Sequence, residues 1–217
     1  MPRESIKSKA ERTEQILEIL KQEFPNARCS LNYETPLQLL LATILSAQCT
    51  DERVNIVTRE LFKKYKTCSD FADAAIGDLE EMVKATGFYR NKARSIKACC
   101  EVLMSAHDGE VPDTMDALTP LAGVGRKTAN VVLGNAFRKE EGVVVDTHVR
   151  RISNLLRLTR MQDPVKIEED LVKIVPRSDW TLFSHLLIRH GRHTCIARRP
   201  DCADCPIAKL CPSASKA

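Results

Sequence analysis

Four of the nine cysteines fall in one short stretch, Cys195-x6-Cys202-x2-Cys205-x5-Cys211, while Cys29, Cys49, Cys68, Cys99 and Cys100 are dispersed. Deprotonated sulfur in a set of four suits either a tetrahedral zinc or an iron–sulfur cluster, because both bind thiolate strongly and both fix a loop that lacks a core of its own. Structural zinc usually takes its ligands as two short-spaced pairs. Here only Cys202 and Cys205 form one, with a single outlying cysteine on either side, and that spacing favours one [4Fe–4S] cube wrapped by a single loop. An odd cysteine total and an N-terminus, MPRESIKSKAER, without an apolar signal core argue against a disulfide framework. The segment has little to bury, so loss of the cluster is expected to unfold this end of the chain. Cys99 and Cys100, beside Ile96 and Leu103, read as small core hydrophobes, as do Cys29, Cys49 and Cys68.

A second constellation lies in LTPLAGVGRKTANVVLGNAF, where Leu121 to Gly125 make a tight turn between two expected helices. Gly123 and Gly125 let the backbone approach another surface, and the unsatisfied amides and dipole at the next helix start make a site for a phosphate. Such a contact positions a duplex without reading bases. A glycine turn between helices can equally be structural. Lys127 stands in the first turn of that helix, where the positive helix end and neighbouring Arg126 disfavour a cation. If partly buried there, its amine should be freed for nucleophilic attack; if solvated, it adds to a basic face. Asp146 precedes the helix opening Thr147-His148-Val149 and reads as its N-cap. A carboxylate fixed in that way also serves as an electrostatic stabiliser of positive charge. His148 either faces DNA or is a satisfied helix residue.

The elements that must position these groups are helices. Ile16, Leu17, Leu20 and Phe24 form an apolar stripe stopped by Pro25. Thr35, Pro36 and Gln38 combine an N-cap, a first-turn proline and a capping-box partner before LQLLLATILSA, which is apolar nearly all round and should be central. The segment from Asp51, with Val54, Val57 and Leu61 on one face, should be peripheral. Further helices are expected from Asp78 to about Thr86, Asn91 to Ala106, Asp113 to Leu118, Arg126 to Phe137, Thr147 to Leu158, Pro164 to Val175 behind Asp163, and Asp179 to His190 ending at Gly191. Val143 to Val145 is too short to found a sheet and reads as an extended connector. The fold class is all-α, and without a linker rich in Pro, Gly or Ser any subdomains are divided only in space.

With 217 residues, 43% hydrophobic and 29% charged, the chain is an ordinary globular one, neither collagenous nor disordered. Its longest apolar run, Leu39 to Leu45, is far short of the roughly 18 residues of a membrane span. A soluble, intracellular protein is expected. The net charge of +4 says little, but its distribution says more: Arg126 to Arg160 holds 8 Lys/Arg against 3 Asp/Glu, and Arg177 to Arg199 holds 5 against 1. A basic C-terminal half fits a face that binds a polyanion such as nucleic acid, or charge scattered on a solvated surface.

Four stretches in this order, LSAQCTD at 45 to 51, LAGVGRKTANVVLGNAF at 121 to 137, VDTHV at 145 to 149 and HGRHTCIARRPDCADCP at 190 to 206, resemble the endonuclease III family of helix-hairpin-helix DNA glycosylases. The resemblance extends from about Ile16 to Cys211. It implies two all-α lobes: a six-helix barrel over 29–139, with the helix-hairpin-helix at about 113–137, and a cluster lobe from 1–28 and 140–217, with the [4Fe–4S] loop at 195–211. It also implies double-stranded DNA bearing oxidised pyrimidines or abasic sites as partner, a monomer, and a cytoplasmic, nucleoid-associated location. Carried over by position, Lys127 matches the nucleophile and Asp146 the catalytic carboxylate. Gln48 matches the residue that fills the gap left by a flipped base. Phe88, in GFYRNKA, stands where familiar members carry a leucine wedge, and Cys49 replaces the alanine expected beside Gln48. Gly123, Val124, Gly125, Arg126 and His148 fall on the DNA side, and Arg198 and Arg199 are placed to meet backbone phosphates. The rival readings are an adenine glycosylase, which lacks a lysine at the position of Lys127 and carries a further C-terminal domain; an 8-oxoguanine glycosylase, which generally lacks the cluster; and a non-catalytic iron–sulfur DNA-binding or redox-sensing protein.

Overall fold

The computed structural model describes residues 4–214. They form eleven α-helices and three short 3-10 turns, with no strand among the described residues. The all-α expectation is met. The chain sorts into two units, residues 29–141 and the residues before Cys29 together with those from Gly142 on. Among the described residues no helix is long and apolar enough to cross a membrane.

In chain order the helices are α1 (Ile6–Glu23), α2 (Pro36–Leu45), α3 (Asp51–Lys64), α4 (Cys68–Asp73), α5 (Ile76–Val83), α6 (Tyr89–Ala106), α7 (Met115–Leu118), α8 (Arg126–Ala136), α9 (Thr147–Leu155), α10 (Pro164–Leu171) and α11 (Trp180–His193). In the central unit, α2 is buried from Leu39 to Leu45 and packs against α3, α6 and α8. Its start is closed by Thr35, whose hydroxyl accepts from the Gln38 N–H at 3.2 Å. Gln38 reaches back past Thr35 to accept from the Glu34 N–H at 2.7 Å, so the anticipated box is displaced by one residue. Thr50 caps α3, which carries Asp51 and Glu52 in its first turn and Lys63 and Lys64 in its last, each sign at the helix end that favours it.

The chain-end unit buries Ile16, Leu17 and Leu20 of α1 with Val149 and Ile152 of α9, Ile167 and Leu171 of α10, and Phe183, Leu186 and Leu187 of α11. Each such side chain contributes roughly 1.5–3 kcal/mol when fully buried. Val143, Val144 and Val145 are buried and extended without pairing into a sheet.

Three differences from the sequence reading have physical causes. The helix α4 went unread because only Cys68 and Phe71 of its six residues are buried, too few for a period; its real signal is a capping box of Thr67 and Asp70. Gly191 does not stop α11. A Cβ there would lie 2.7 Å from His148 Nδ1 and 2.8 Å from Ile152 Cδ1, so this glycine is a point of close approach between α9 and α11. Finally, α7, α9 and α10 are each shorter than their apolar patterns: Thr114 is extended as the N-cap of α7, and Leu156–Leu158 and Val172–Val175 are turns and bends.

Candidate nucleic-acid interface and cysteine site

In the central unit two turns present single side chains from strained backbone. Gln48, after α2, has φ +53 and is exposed. Left-handed backbone disfavours a non-glycine residue by roughly 1–2 kcal/mol. The turn is held by the Cys49 N–H on Ser46 O at 3.1 Å and by Ser46 Oγ on Thr43 O at 2.8 Å. Phe88, at the N-cap of α6, has φ +47, follows Gly87 at φ +71, and is 65% exposed. An aromatic ring left mostly in water on left-handed backbone buries little apolar surface within the chain.

The α7–α8 turn distinguishes its two glycines. Gly123 has φ +79, and a Cβ on it would stand 3.0 Å from Ser95 Cβ and 3.1 Å from Ile44 Cγ2, so both conformation and packing demand glycine. Val124 is buried and its N–H donates to Leu121 O at 3.0 Å, closing the turn. Gly125 has φ −94 and nothing within 4 Å of a built Cβ, so neither backbone nor packing within the chain requires it. It is the N-cap of α8 and supplies no side-chain bond to the first amides. Arg126 and Lys127 follow, both exposed. The partly buried lysine considered from the sequence is therefore a solvent-facing one, on the first turn of α8.

In the chain-end unit Asp146 is the N-cap of α9, with Oδ1 accepting from the Val149 N–H at 2.8 Å. His185 on α11 lies close enough to feel that carboxylate. Burial pushes the imidazole down to about 4 against the opposing pull of Asp146, so a neutral ring sits beside a capped carboxylate at neutral pH. No motif in the sequence marked His185. His148 is half-buried against Gly191, and its Nδ1 is buried without a hydrogen-bond partner, so the reading of a satisfied helix histidine does not apply. It lines a groove of about 790 Å³ with Arg150, Arg151, Arg192 and Ala197. Arg198 and Arg199 are exposed in the loop just beyond.

Cys195, Cys202, Cys205 and Cys211 are free, half-buried, and line one small cavity walled by Ile152, Leu155, Leu156 and Ile207. Arg151 binds the loop at its start, donating to Cys195 O at 2.7 Å and Cys195 Sγ at 3.5 Å. Burial pushes the Cys205 thiol up, and the other three sulfurs push the same way. No three His, Cys, Asp or Glu among the described residues stand close enough to share one metal ion. By contrast Cys99 and Cys100 are fully buried in the central unit, where burial pushes Cys99 up to about 12 and Cys100 further. Cys68 is buried beside them, and Cys29 and Cys49 are half-buried against the same core.

The sequence pattern of the HhH-GPD superfamily of base excision DNA repair proteins matches residues 41–177. The chain belongs to that superfamily. Among HhH-GPD proteins it is 53% identical over 207 residues to endonuclease III of Synechocystis sp. PCC 6803, covering 95% of this chain and 94% of that one. It is 41% identical over 204 residues to endonuclease III of Escherichia coli K12, covering 94% and 96%. Its HhH-GPD fold superposes on a solved non-covalent endonuclease III–DNA complex with a TM-score of 0.89 at 42% identity, covering 95% of this chain and 97% of that one. A solved structure of a trapped covalent endonuclease III–DNA intermediate matches equally well. A thermostable thymine-DNA glycosylase, 22% identical with a TM-score of 0.84, shares the fold.

Proposed function

We propose that the protein is a base-excision repair DNA glycosylase that removes oxidised pyrimidines from duplex DNA and, as an AP lyase, cleaves the strand 3′ to the resulting abasic site through a lysine Schiff base. The observation that carries this reading is an exposed lysine, Lys127, on the first turn of α8 behind a glycine that nothing in the chain requires, in a sequence 53% identical to an endonuclease III over nearly its whole length.

The damaged nucleotide must leave the stack, since C1′ is not approachable inside a duplex. Phe88 wedges the stack and Gln48 fills the gap, its amide able to bond the estranged base with either edge. The hairpin at Gly123, Val124 and Gly125 takes a backbone phosphate on main-chain amides, with Arg126 at its side, and His148, Arg198 and Arg199 face further phosphates. Lys127 Nζ attacks C1′ as the bond from C1′ to the base breaks. Asp146, held by its cap bond to Val149, stabilises the positive charge developing on the sugar and helps move protons. The C1′–O4′ bond then opens, the ring oxygen taking up a proton, and the resulting iminium acidifies the C2′ proton. Its removal expels the 3′ phosphate by β-elimination. An amine is needed for this second step, because a water nucleophile stops at the abasic site.

Cys195, Cys202, Cys205 and Cys211 are the residues that would hold a [4Fe–4S] cluster, whose contribution would be to order the loop that bears Arg198 and Arg199. Four free cysteines lining one cavity, in the spacing Cys-x6-Cys-x2-Cys-x5-Cys, support that assignment.

Borohydride trapping on a duplex with one thymine glycol tests the proposal. The purified, iron-loaded protein should give a covalent adduct and Lys127→Ala none. Equal strand cleavage by both proteins, or no adduct from a well-folded loaded parent, overturns it in favour of a monofunctional glycosylase or a binding protein.

A further inference from the structure

A buried ammonium holds the turn that presents Phe88 and lies within electrostatic reach of the turn that presents Gln48. Lys92 on α6 is only 5% exposed. Its Nζ donates to Thr86 O at 2.7 Å, and its backbone N–H donates to Phe88 O at 3.1 Å. One residue therefore grips both ends of the Thr86–Gly87–Phe88 turn, with the left-handed Gly87 and Phe88 between its two holds. Thr86 is itself fixed, its Oγ1 donating to Val83 O at 2.7 Å. On the other side Cys49, the neighbour of Gln48, is near enough to act on the Lys92 charge: burial holds the ammonium below the ordinary lysine range, and Cys49 works against that shift.

A lysine is an expensive way to fill a core. Burying a charge without a carboxylate costs several kcal/mol that methionine or leucine of similar volume would not incur. What the ammonium does here, and a methyl cannot, is hold the Thr86 carbonyl inward and place a charged donor beneath two strained turns. Both turns carry a side chain that the fold does not use.

We propose that Lys92 is a positioning residue for base extrusion, holding the Phe88 turn from beneath with Cys49 of the Gln48 turn at its side, so that wedge and gap filler enter the duplex in register. This inference rests on the roles given above to Phe88 and Gln48, and it adds a residue that touches neither DNA nor the reacting atoms.

The test separates extrusion from sugar chemistry by choice of substrate, using the iron-loaded protein throughout. A duplex with a thymine glycol needs wedge and gap filler. An abasic site in a single strand has no partner base to estrange and no stack to open. Lys92→Met, which keeps length and removes the charge, should lower excision from the duplex by about tenfold or more, as sub-ångström misplacement of a positioning group does. Trapping on the single strand should stay within about twofold of the parent. The ratio of rates opposite adenine and guanine should shift as well, since Gln48 meets that base. Lys92→Arg, which keeps a charged donor, should restore most of the duplex rate. Equal losses on both substrates, or no loss on either, overturn the proposal. If the methionine variant does not fold, Lys92→Gln is judged by the same ratio. A parent protein that traps on neither substrate sinks the functional reading itself, whereas an active parent with an unchanged ratio in the variant sinks only the role of Lys92.

Discussion

The turns of the central unit and the loop at the end of the chain are held by opposite means. Gln48, Phe88 and Gly123 sit on left-handed backbone, and each turn adjoins a buried side chain: Leu45 before Gln48, Lys92 beneath Phe88, Ile44 against Gly123 with the half-buried Ser95 beside it. The loop from Thr194 to Ala214 buries one residue well, Ile207 at 1% exposure, and otherwise offers four half-buried cysteines around a cavity. The difference teaches where each part gets its shape. A turn laid over a packed core inherits rigidity from apolar burial, while a loop with one buried side chain must obtain it from what its sulfurs bind.

The largest expected effect follows from breaking the second device alone. Cys202→Ser should abolish iron and sulfide loading and open residues 195–211 to proteolysis, because the metal-binding free energy is the folding free energy of that segment. Cys100→Ala, which removes a fully buried sulfur from the central unit, should leave iron content unchanged and cost only about 1 kcal/mol in thermal unfolding, as ordinary core truncations do. Full iron loading in the Cys202 variant would show that the loop is held by something other than its cysteines.

Next in size is a test of core-braced turns that compares two glycines two residues apart. Gly123→Ala must carry a Cβ at φ +79 and push it against Ser95 and Ile44, which should destabilise the protein by about 2–4 kcal/mol, strain and overpacking together. Gly125→Ala meets nothing and needs no unusual backbone, so its melting temperature should stay within about a degree of the parent. Its methyl should nonetheless weaken DNA binding, because the glycine keeps the start of α8 open to a phosphate. Unchanged affinity in a filter-binding or fluorescence-anisotropy titration would mean that Gly125 serves no contact.

Much of this division could be read in the residues, and the failures are instructive. Thr35 before Pro36 and Asp163 before Pro164 start helices because a capping oxygen and a fixed proline φ act within four residues, without help from the rest of the fold. The cysteine cluster is legible for the same reason: its information is local spacing. What escaped depends on contacts distant in sequence. Gly191 looks like a helix stop until His148 and Ile152, some forty residues away, are seen to press against it. Gln48 and Phe88 occupy left-handed backbone although neither is a turn residue, since the strain is supported by tertiary packing rather than by local preference. Lys92 carries no signal in the sequence, and only the fold reveals it as buried. For Lys127 the sequence leaves burial and exposure open, because the choice depends on neighbours no spacing rule supplies, and the fold places it in solvent.

The smallest effect probes a third way of holding a functional group, the helix cap at Asp146. Its bond to the Val149 N–H needs an oxygen acceptor and no charge, whereas stabilising a cationic sugar needs the charge. Asp146→Asn keeps the acceptor, so unfolding should change by no more than a few tenths of a kcal/mol, while excision of thymine glycol should fall by about a hundredfold or more. Asp146→Ala removes both and should lower stability by about 1 kcal/mol in addition. The two variants together separate cap from catalyst on one side chain. If asparagine matches the parent in excision rate, the carboxylate is a cap alone, and the charge that stabilises the cationic sugar must come from elsewhere in the protein.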